Sequence, residues 1–143
     1  VRSRECLGER AFHAAPKPLP KGANTQDWPC FLGPSHNLVS SETKLLKQFP
    51  KDGLKLVWEA TRGSGYAAPA ILGDRLVMFH RVGNEEIVEC LHAETGATHW
   101  QFRYPTSFED RYGYNKNGRV DAQNTRDLLT GAGPRLLCYD LRA

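Results

Sequence analysis

Long apolar runs are missing from this sequence. No window approaches the roughly 18 consecutive apolar residues of a membrane-spanning helix, and residues 1–26 lack the apolar centre of a signal peptide. The sequence therefore predicts no membrane span. An initiating methionine is also missing, because the first residue is Val1, and we expect the chain to be processed, truncated or internal to a longer product.

Concentrated positive charge is missing too. The net charge is +3 at pH 7, and all of it comes from residues 1–26, which hold five basic and two acidic side chains. The remaining residues carry fourteen of each sign. Binding to a phosphate backbone needs a concentrated basic face, so the sequence predicts no nucleic-acid partner.

Catalytic and metal-binding motifs are equally scarce. The four cysteines, Cys6, Cys30, Cys90 and Cys138, lie far apart without a CxxC pair, so the sequence does not support a zinc ribbon or a thioredoxin-type motif. No GxSxG nucleophile motif occurs, and no helix or lysine follows residues 63–65 as a phosphate loop requires. We predict no catalytic residues in this chain.

Proline and glycine divide the chain into three segments. Residues 1–26 are basic and proline-rich, a composition that favours a flexible or extended segment. Residues 27–53 form a lead-in that allows one short helical turn after Ser40 or Ser41, ending before Pro50. Residues 54–143 are predicted to form β-sheet.

Period-two alternation dominates from Leu54 onward. Short apolar runs are separated by tight turns at residues 73–74, 83–84 and 94–96, each of which contains a glycine suited to hairpin geometry. The spacing predicts an antiparallel four-stranded meander over about residues 66–104. The clearest alternation sets Thr98, Trp100, Phe102 and Tyr104 against His99, Gln101 and Arg103.

A repeat runs through this region. Trp58 and Trp100 each lie near the end of an alternating run and are 42 residues apart, while Cys138 follows Cys90 by 48 residues in a similar setting. Propeller blades repeat with a period of roughly 40 to 50 residues. The spacing therefore indicates an all-β repeat protein of which this chain holds a little more than one unit.

The residues at the last turn carry a resemblance to a known family. Thr95, Gly96 and Trp100 match the blade motif of pyrroloquinoline-quinone (PQQ)-type propeller repeats. Cys90 stands where that motif usually has alanine, and His92 where it usually has aspartate. The resemblance implies that these residues are structural, with the tryptophan docking between neighbouring blades, and Trp58 is assigned the same role.

The lead-in is similar to that of the same family, the class that includes the outer-membrane assembly factor BamB. The residues concerned are Asp27, Trp28, Pro29, Gly33 and Pro34. The resemblance covers about residues 27–118 and implies an incomplete β-propeller made of antiparallel four-stranded blades.

The propeller interpretation divides residues 54–143 into a closing strand around Trp58, a full blade over about 66–104 and a partial blade over 105–143. The pattern fails over residues 119–134, where divergence, an inserted loop and a reading-frame error in the source sequence remain open.

Two functions follow from the resemblance. The preferred one is a binding or assembly scaffold, periplasmic or secreted, with a protein partner, with the remaining blades of the same propeller and without a cofactor. The alternative is part of a PQQ-dependent quinoprotein oxidoreductase resembling an alcohol dehydrogenase, which would hold PQQ and calcium. That family commonly has an adjacent cysteine pair, which is missing here.

A metal site is the remaining alternative. Cys90 and His92 are two residues apart on one predicted strand, and His80 and His99 could approach from neighbouring strands. We favour the structural interpretation, in which Cys90 packs as a small residue and His92 replaces a turn aspartate. No metal is therefore expected.

Overall fold

The computed structural model describes residues 10–63, 65, 67–107 and 135–143. These residues form an all-β structure without a helix, as the alternation predicted, in two antiparallel sheets. The interrupted stretch 119–134 lies outside the described residues. The strands are β1 (Arg10–Phe12), β2 (Lys55–Thr61), β3 (Ala70–Leu72), β4 (Arg75–Val82), β5 (Glu85–His92), β6 (Thr98–Pro105) and β7 (Arg135–Asp140).

The four-stranded sheet is a meander in the order β3-β4-β5-β6. Gly73 and Gly83 take the positive φ angles, 59° and 58°, that the first two hairpin turns require. The predicted antiparallel four-stranded arrangement is confirmed. Its first strand begins only at Ala70, because Pro69 has no N–H to donate to a ladder.

The three-stranded sheet has the order β1-β2-β7, with β2 in the centre. Trp58 of β2 is paired with Cys138 of β7, so strands from opposite ends of the repeat region are direct neighbours. β1 covers the other edge of β2, where Phe12 is paired with Trp58. This sheet is therefore assembled from three separate stretches of the chain.

The core lies between the two sheets. The three-stranded sheet contributes side chains of β2, and the four-stranded sheet contributes the inward-facing side chains of β4 and β5. Each fully buried aliphatic side chain of this kind stabilises the fold by about 1.5–3 kcal/mol. The buried cluster consists of Val57, Trp58, Ala60, Leu76, Met78 and Leu91.

Residues 40–50 form no helical turn, in contrast to what the sequence allows. Ser41, a candidate helix cap, donates its N–H and its hydroxyl to Gln26 Oε1 at 2.6 and 2.7 Å. Thr43 Oγ1 accepts the N–H of Asn24 at 2.8 Å. Capping groups are thus engaged by the extended segment before them, and Lys44 has a φ of 61°, which no right-handed helix accommodates.

The extended segment that precedes residue 27 lies along the three-stranded sheet. His13 N–H donates to the Val57 carbonyl at 2.8 Å, and Lys17 N–H donates to Asp140 Oδ2 at the same distance. Its proline-rich composition is compatible with this course because an extended chain needs few backbone partners. No segment of the described chain is a helix of the length and apolarity that crossing a membrane requires.

Candidate docking site

Trp58 joins the two sheets. Its side chain is 1% exposed, and its ring lies against Gly96 in the turn that follows β5. The indole Nε1–H donates to the Ala93 carbonyl at 2.9 Å, and the Cys138 thiol lies 3.8 Å from the same oxygen. A paired cysteine and tryptophan of one sheet thus hold one backbone carbonyl of the next sheet.

The turn over residues 92–96 is shaped for this contact. Gly96 has a φ of 70°, and a Cβ at this position would lie 2.7 Å from the indole of Trp58, so only glycine fits. His92 Nδ1 accepts the N–H of Glu94 at 3.2 Å, and Thr95 Oγ1 accepts the N–H of Ala97 at 3.3 Å. His92 therefore supplies the acceptor that an aspartate supplies in such turns.

The four-stranded sheet repeats at Trp100 the strand geometry that the three-stranded sheet has at Trp58. Trp100 is paired with Cys90 as Trp58 is with Cys138, and both tryptophan strands have a register irregularity just before the tryptophan. Asp140 provides a further match, because its Oδ1 accepts the N–H of Arg142 two residues on, as His92 accepts that of Glu94. β2 and β7 thus correspond to β6 and β5.

Trp100 differs from Trp58 in having no sheet packed against it among the described residues. Its side chain is 47% exposed and borders an apolar groove of about 330 Å³ whose lining includes Pro29, Val77 and Cys90. The same face carries Phe102, which is 61% exposed. The Cys90–Trp100 pair therefore forms a notch (the Cys90–Trp100 notch) like the one that the turn fills at Trp58.

The lead-in residues brace the opposite edge of the four-stranded sheet. Trp28 and Ile71 exchange two backbone hydrogen bonds of 2.9 Å, and Asp27 Oδ1 accepts the N–H of Gly73 at 2.7 Å. Gly33 lies under the Trp28 ring, where a Cβ would approach to 2.7 Å. Pro29 reaches the groove beside Trp100, whereas Pro34 is exposed.

A buried polar cluster lies behind the notch, on the inner face of the same sheet. His80 Nδ1 accepts the N–H of Gly63 at 2.8 Å, so its Nε2 carries the proton and donates to Glu89 Oε1 at 3.1 Å. Arg10 of β1 reaches Glu89 Oε2 at 2.7 Å, and Gln101 Nε2 lies 3.4 Å from the same oxygen. This cluster ties both sheets together.

Ionisation of Glu89 is favoured within this cluster. Burial raises the pKa of Glu89, but the hydrogen bond from His80, the Arg10 charge and the Gln101 amide outweigh burial and hold the pKa below its ordinary value. This cluster was not predicted from the sequence. Its signals there are His80 and Glu89, polar residues at inward positions of the alternation of β4 and β5.

The residues considered for a metal site do not converge. His80 lies on the inner face of the four-stranded sheet and Cys90 on the outer face, since Cys90 is paired with Val77. His92 and His99 approach each other, with ring centroids 5.7 Å apart. Within the part of the chain that the structure describes, no group of three or more His, Cys, Asp or Glu side chains is arranged to hold a metal ion.

Burial also affects the thiol that contacts the turn. The pKa of the Cys138 thiol is raised, chiefly by burial, so the thiol stays protonated and acts as a weak donor to the Ala93 carbonyl. For Asp140, burial raises the pKa, but the N–H groups of Lys17 and Arg142 outweigh this and lower it.

Comparisons with protein-family models, with curated proteins and with solved structures each gave no significant match to this chain.

Proposed function

We propose that this chain is part of a PQQ-like β-propeller that acts as a binding or assembly scaffold. The observation that carries the proposal is the repeated cysteine–tryptophan pair, filled by a glycine turn at Trp58 and open at Trp100. Repeat proteins stack such units because one unit cannot bury its own apolar faces. In the described residues, the contacts at Trp58 are apolar packing and a hydrogen bond to a backbone carbonyl, which are contacts that join one sheet to the next.

The Cys90–Trp100 notch is proposed to receive a further sheet of the same repeat. The occupant presents a backbone carbonyl three residues before a glycine, as Ala93 does before Gly96. This assignment uses the established contact at Trp58 as its template. The remaining blades of the propeller and a protein partner complete the scaffold, which we place in the periplasm or outside the cell.

Fluorine NMR of the fluorotryptophan-labelled protein tests the docking. In the longer, uninterrupted gene product that this proposal implies, Trp100 should be as protected from a soluble paramagnetic probe as Trp58, whereas in the present chain Trp100 should be the more accessible of the two. Assignment by single Trp→Phe variants separates the signals. A Trp100 that stays accessible in the uninterrupted gene product contradicts the proposal.

The quinoprotein alternative is separated by a second measurement. The uninterrupted gene product, incubated with PQQ and calcium, should bind the quinone weakly and oxidise no alcohol. Tight binding together with alcohol oxidation would replace the scaffold by an oxidoreductase. This measurement is independent of the docking of Trp100.

A further inference from the structure

No described strand lies along the outer edge of β6, which we call the open edge, whereas the corresponding edge of β2 is covered. Within the described residues β6 has only β5 beside it, but β2 has β7 on one side and β1 on the other. Because β2 corresponds to β6, β1 shows what an occupant of the open edge looks like. It is a short antiparallel strand.

Backbone alternation fixes which groups of β6 point outward. Thr106 N–H donates to the Asn84 carbonyl at 2.8 Å, so Pro105 and Glu85 are a non-bonded pair of the ladder. Tyr104, Phe102 and Trp100 then bond to β5. The N–H and C=O groups of Arg103 and Gln101 point to the open edge.

The covered edge of β2 has the same alternation of outward-pointing backbone groups. His13 N–H donates to the Val57 carbonyl at 2.8 Å, so Phe12 and Trp58 are a non-bonded pair of the ladder. The next pair, Ala11 and Glu59, is therefore a hydrogen-bonded pair of β1 and β2. Glu59 is 42 residues before Gln101, the same spacing as Trp58 and Trp100. Gln101 therefore offers the hydrogen-bonding groups that Glu59 uses to hold Ala11.

We propose that the β6 edge binds an extended segment of a partner protein by antiparallel β-strand addition centred on Gln101. Residues of the segment opposite Trp100 and Phe102 share the exposed apolar face and are apolar, since these two side chains are 47% and 61% exposed. The residue opposite Gln101 is small, as Ala11 is opposite Glu59.

This proposal rests on the proposed scaffold function for having a protein partner, but it concerns a different surface. The edge lies in the plane of the sheet, whereas the Cys90–Trp100 notch lies on its face. Strand addition can therefore fail while Trp100 docks, and the reverse also holds.

NMR titration with a capped peptide, Lys-Val-Phe-Ala-Phe-Thr-Lys, tests the strand addition. The largest amide shifts should occur at Gln101 and Arg103. Methylation of the alanine nitrogen removes a ladder donor and should weaken binding about tenfold or more, whereas methylation of the phenylalanine that follows the alanine should be tolerated because its N–H points away.

Matched variants of the protein complete the test. Gln101→Pro removes an outward N–H without touching the backbone bonds to β5 and should abolish the shifts. Gln101→Ala loses the same side-chain contact with Glu89 but keeps the N–H, and it should still bind the peptide. Absence of shifts in the unaltered chain, or equal effects of both methylated peptides, overturns the proposal. Analytical ultracentrifugation of the free chain separates one further outcome. If the chain is a dimer and Gln101→Pro makes it monomeric, the edge pairs with a second copy and the proposal is wrong.

Discussion

Trp58 and Trp100 occupy the same place in two sheets, yet one is buried and the other is half exposed. Each is paired with a cysteine on the neighbouring strand and follows the same register irregularity. What differs is the neighbour, because the turn ending at Gly96 packs against Trp58 and no described residue packs against Trp100 in that way. The local strands therefore create the notch, and the adjoining sheet determines how much the tryptophan stabilises the fold.

The largest effect is expected from truncating Trp58, with the same truncation of Trp100 as its comparison. Trp58→Ala should lower the free energy of unfolding by about 3–5 kcal/mol, because it removes a fully buried indole and its bond to Ala93. Trp100→Ala in the same chain should cost under about 1 kcal/mol, since its indole is half exposed. Urea unfolding followed by circular dichroism measures both.

In the longer propeller protein that we propose, the two costs should become similar. Docking would then give Trp100 the burial that Trp58 has, so Trp100→Ala would cost about 3–5 kcal/mol as well. Unequal costs in that longer protein would break the correspondence between the two tryptophans.

The next effect concerns the glycine on which Trp58 docks. Gly96→Ala should cost about 2–4 kcal/mol, because positive φ strain adds to an overlap of the new Cβ with the Trp58 ring. Gly73→Ala is the matched control, since its φ is also positive and no atom lies within 4 Å of the added Cβ. The control should cost only about 1–2 kcal/mol in thermal or urea unfolding.

Equal costs for the two glycine variants would mean that backbone strain alone matters at Gly96. The close contact with the indole would then have no energetic weight.

The buried cluster behind the notch should make stability depend on pH. The pKa of Glu89 is lower in the folded state than its ordinary value of 4.5, so its contribution is full above that value and is lost as the pH falls through the lowered pKa. Glu89→Gln should cost about 1–3 kcal/mol at neutral pH and flatten the acid limb of stability against pH. Urea unfolding at a series of pH values measures this.

Glu85→Gln is the control for the acid limb, because the Glu85 carboxylate is half exposed and lies 3.6 Å from Arg103. It should leave the acid limb nearly unchanged. An identical loss of slope in both variants would assign the acid limb to general charge effects instead of the cluster.

The smallest effect is expected at His92. His92→Ala removes the acceptor for Glu94 N–H and should cost about 1 kcal/mol, by analogy with the loss of a capping side chain. His92→Asp restores an acceptor of the kind that Asp140 provides and should change stability by about 0.5 kcal/mol or less. If aspartate destabilises as much as alanine, the turn does not use residue 92 as an acceptor.

Local patterns predicted the meander well. Alternation and turn glycines such as Gly73 and Gly83 act over a few residues, so each hairpin was visible in the sequence. The helical turn allowed after Ser41 was wrong for a non-local reason, because Gln26 engages that serine. Local propensity yields where a distant residue supplies the hydrogen bond.

The candidate docking site was predicted in part. Trp58, Gly96 and Trp100 were singled out by the repeat, and the structure brings Trp58 and Gly96 into contact. The Arg10–His80–Glu89 cluster was not foreseen, since its members lie on three strands and share no motif.

The sequence by itself determined the strands from β2 onward, the turns between them and the two cysteine–tryptophan positions, because these depend on residue alternation and on glycine at a few sites. Only the tertiary structure decided that β7 joins β2, that β1 covers one edge of β2 while no described strand covers the outer edge of β6, and that Trp58 is buried while Trp100 is half exposed. Strand pairing across many residues depends on which surfaces meet, and no local spacing encodes that.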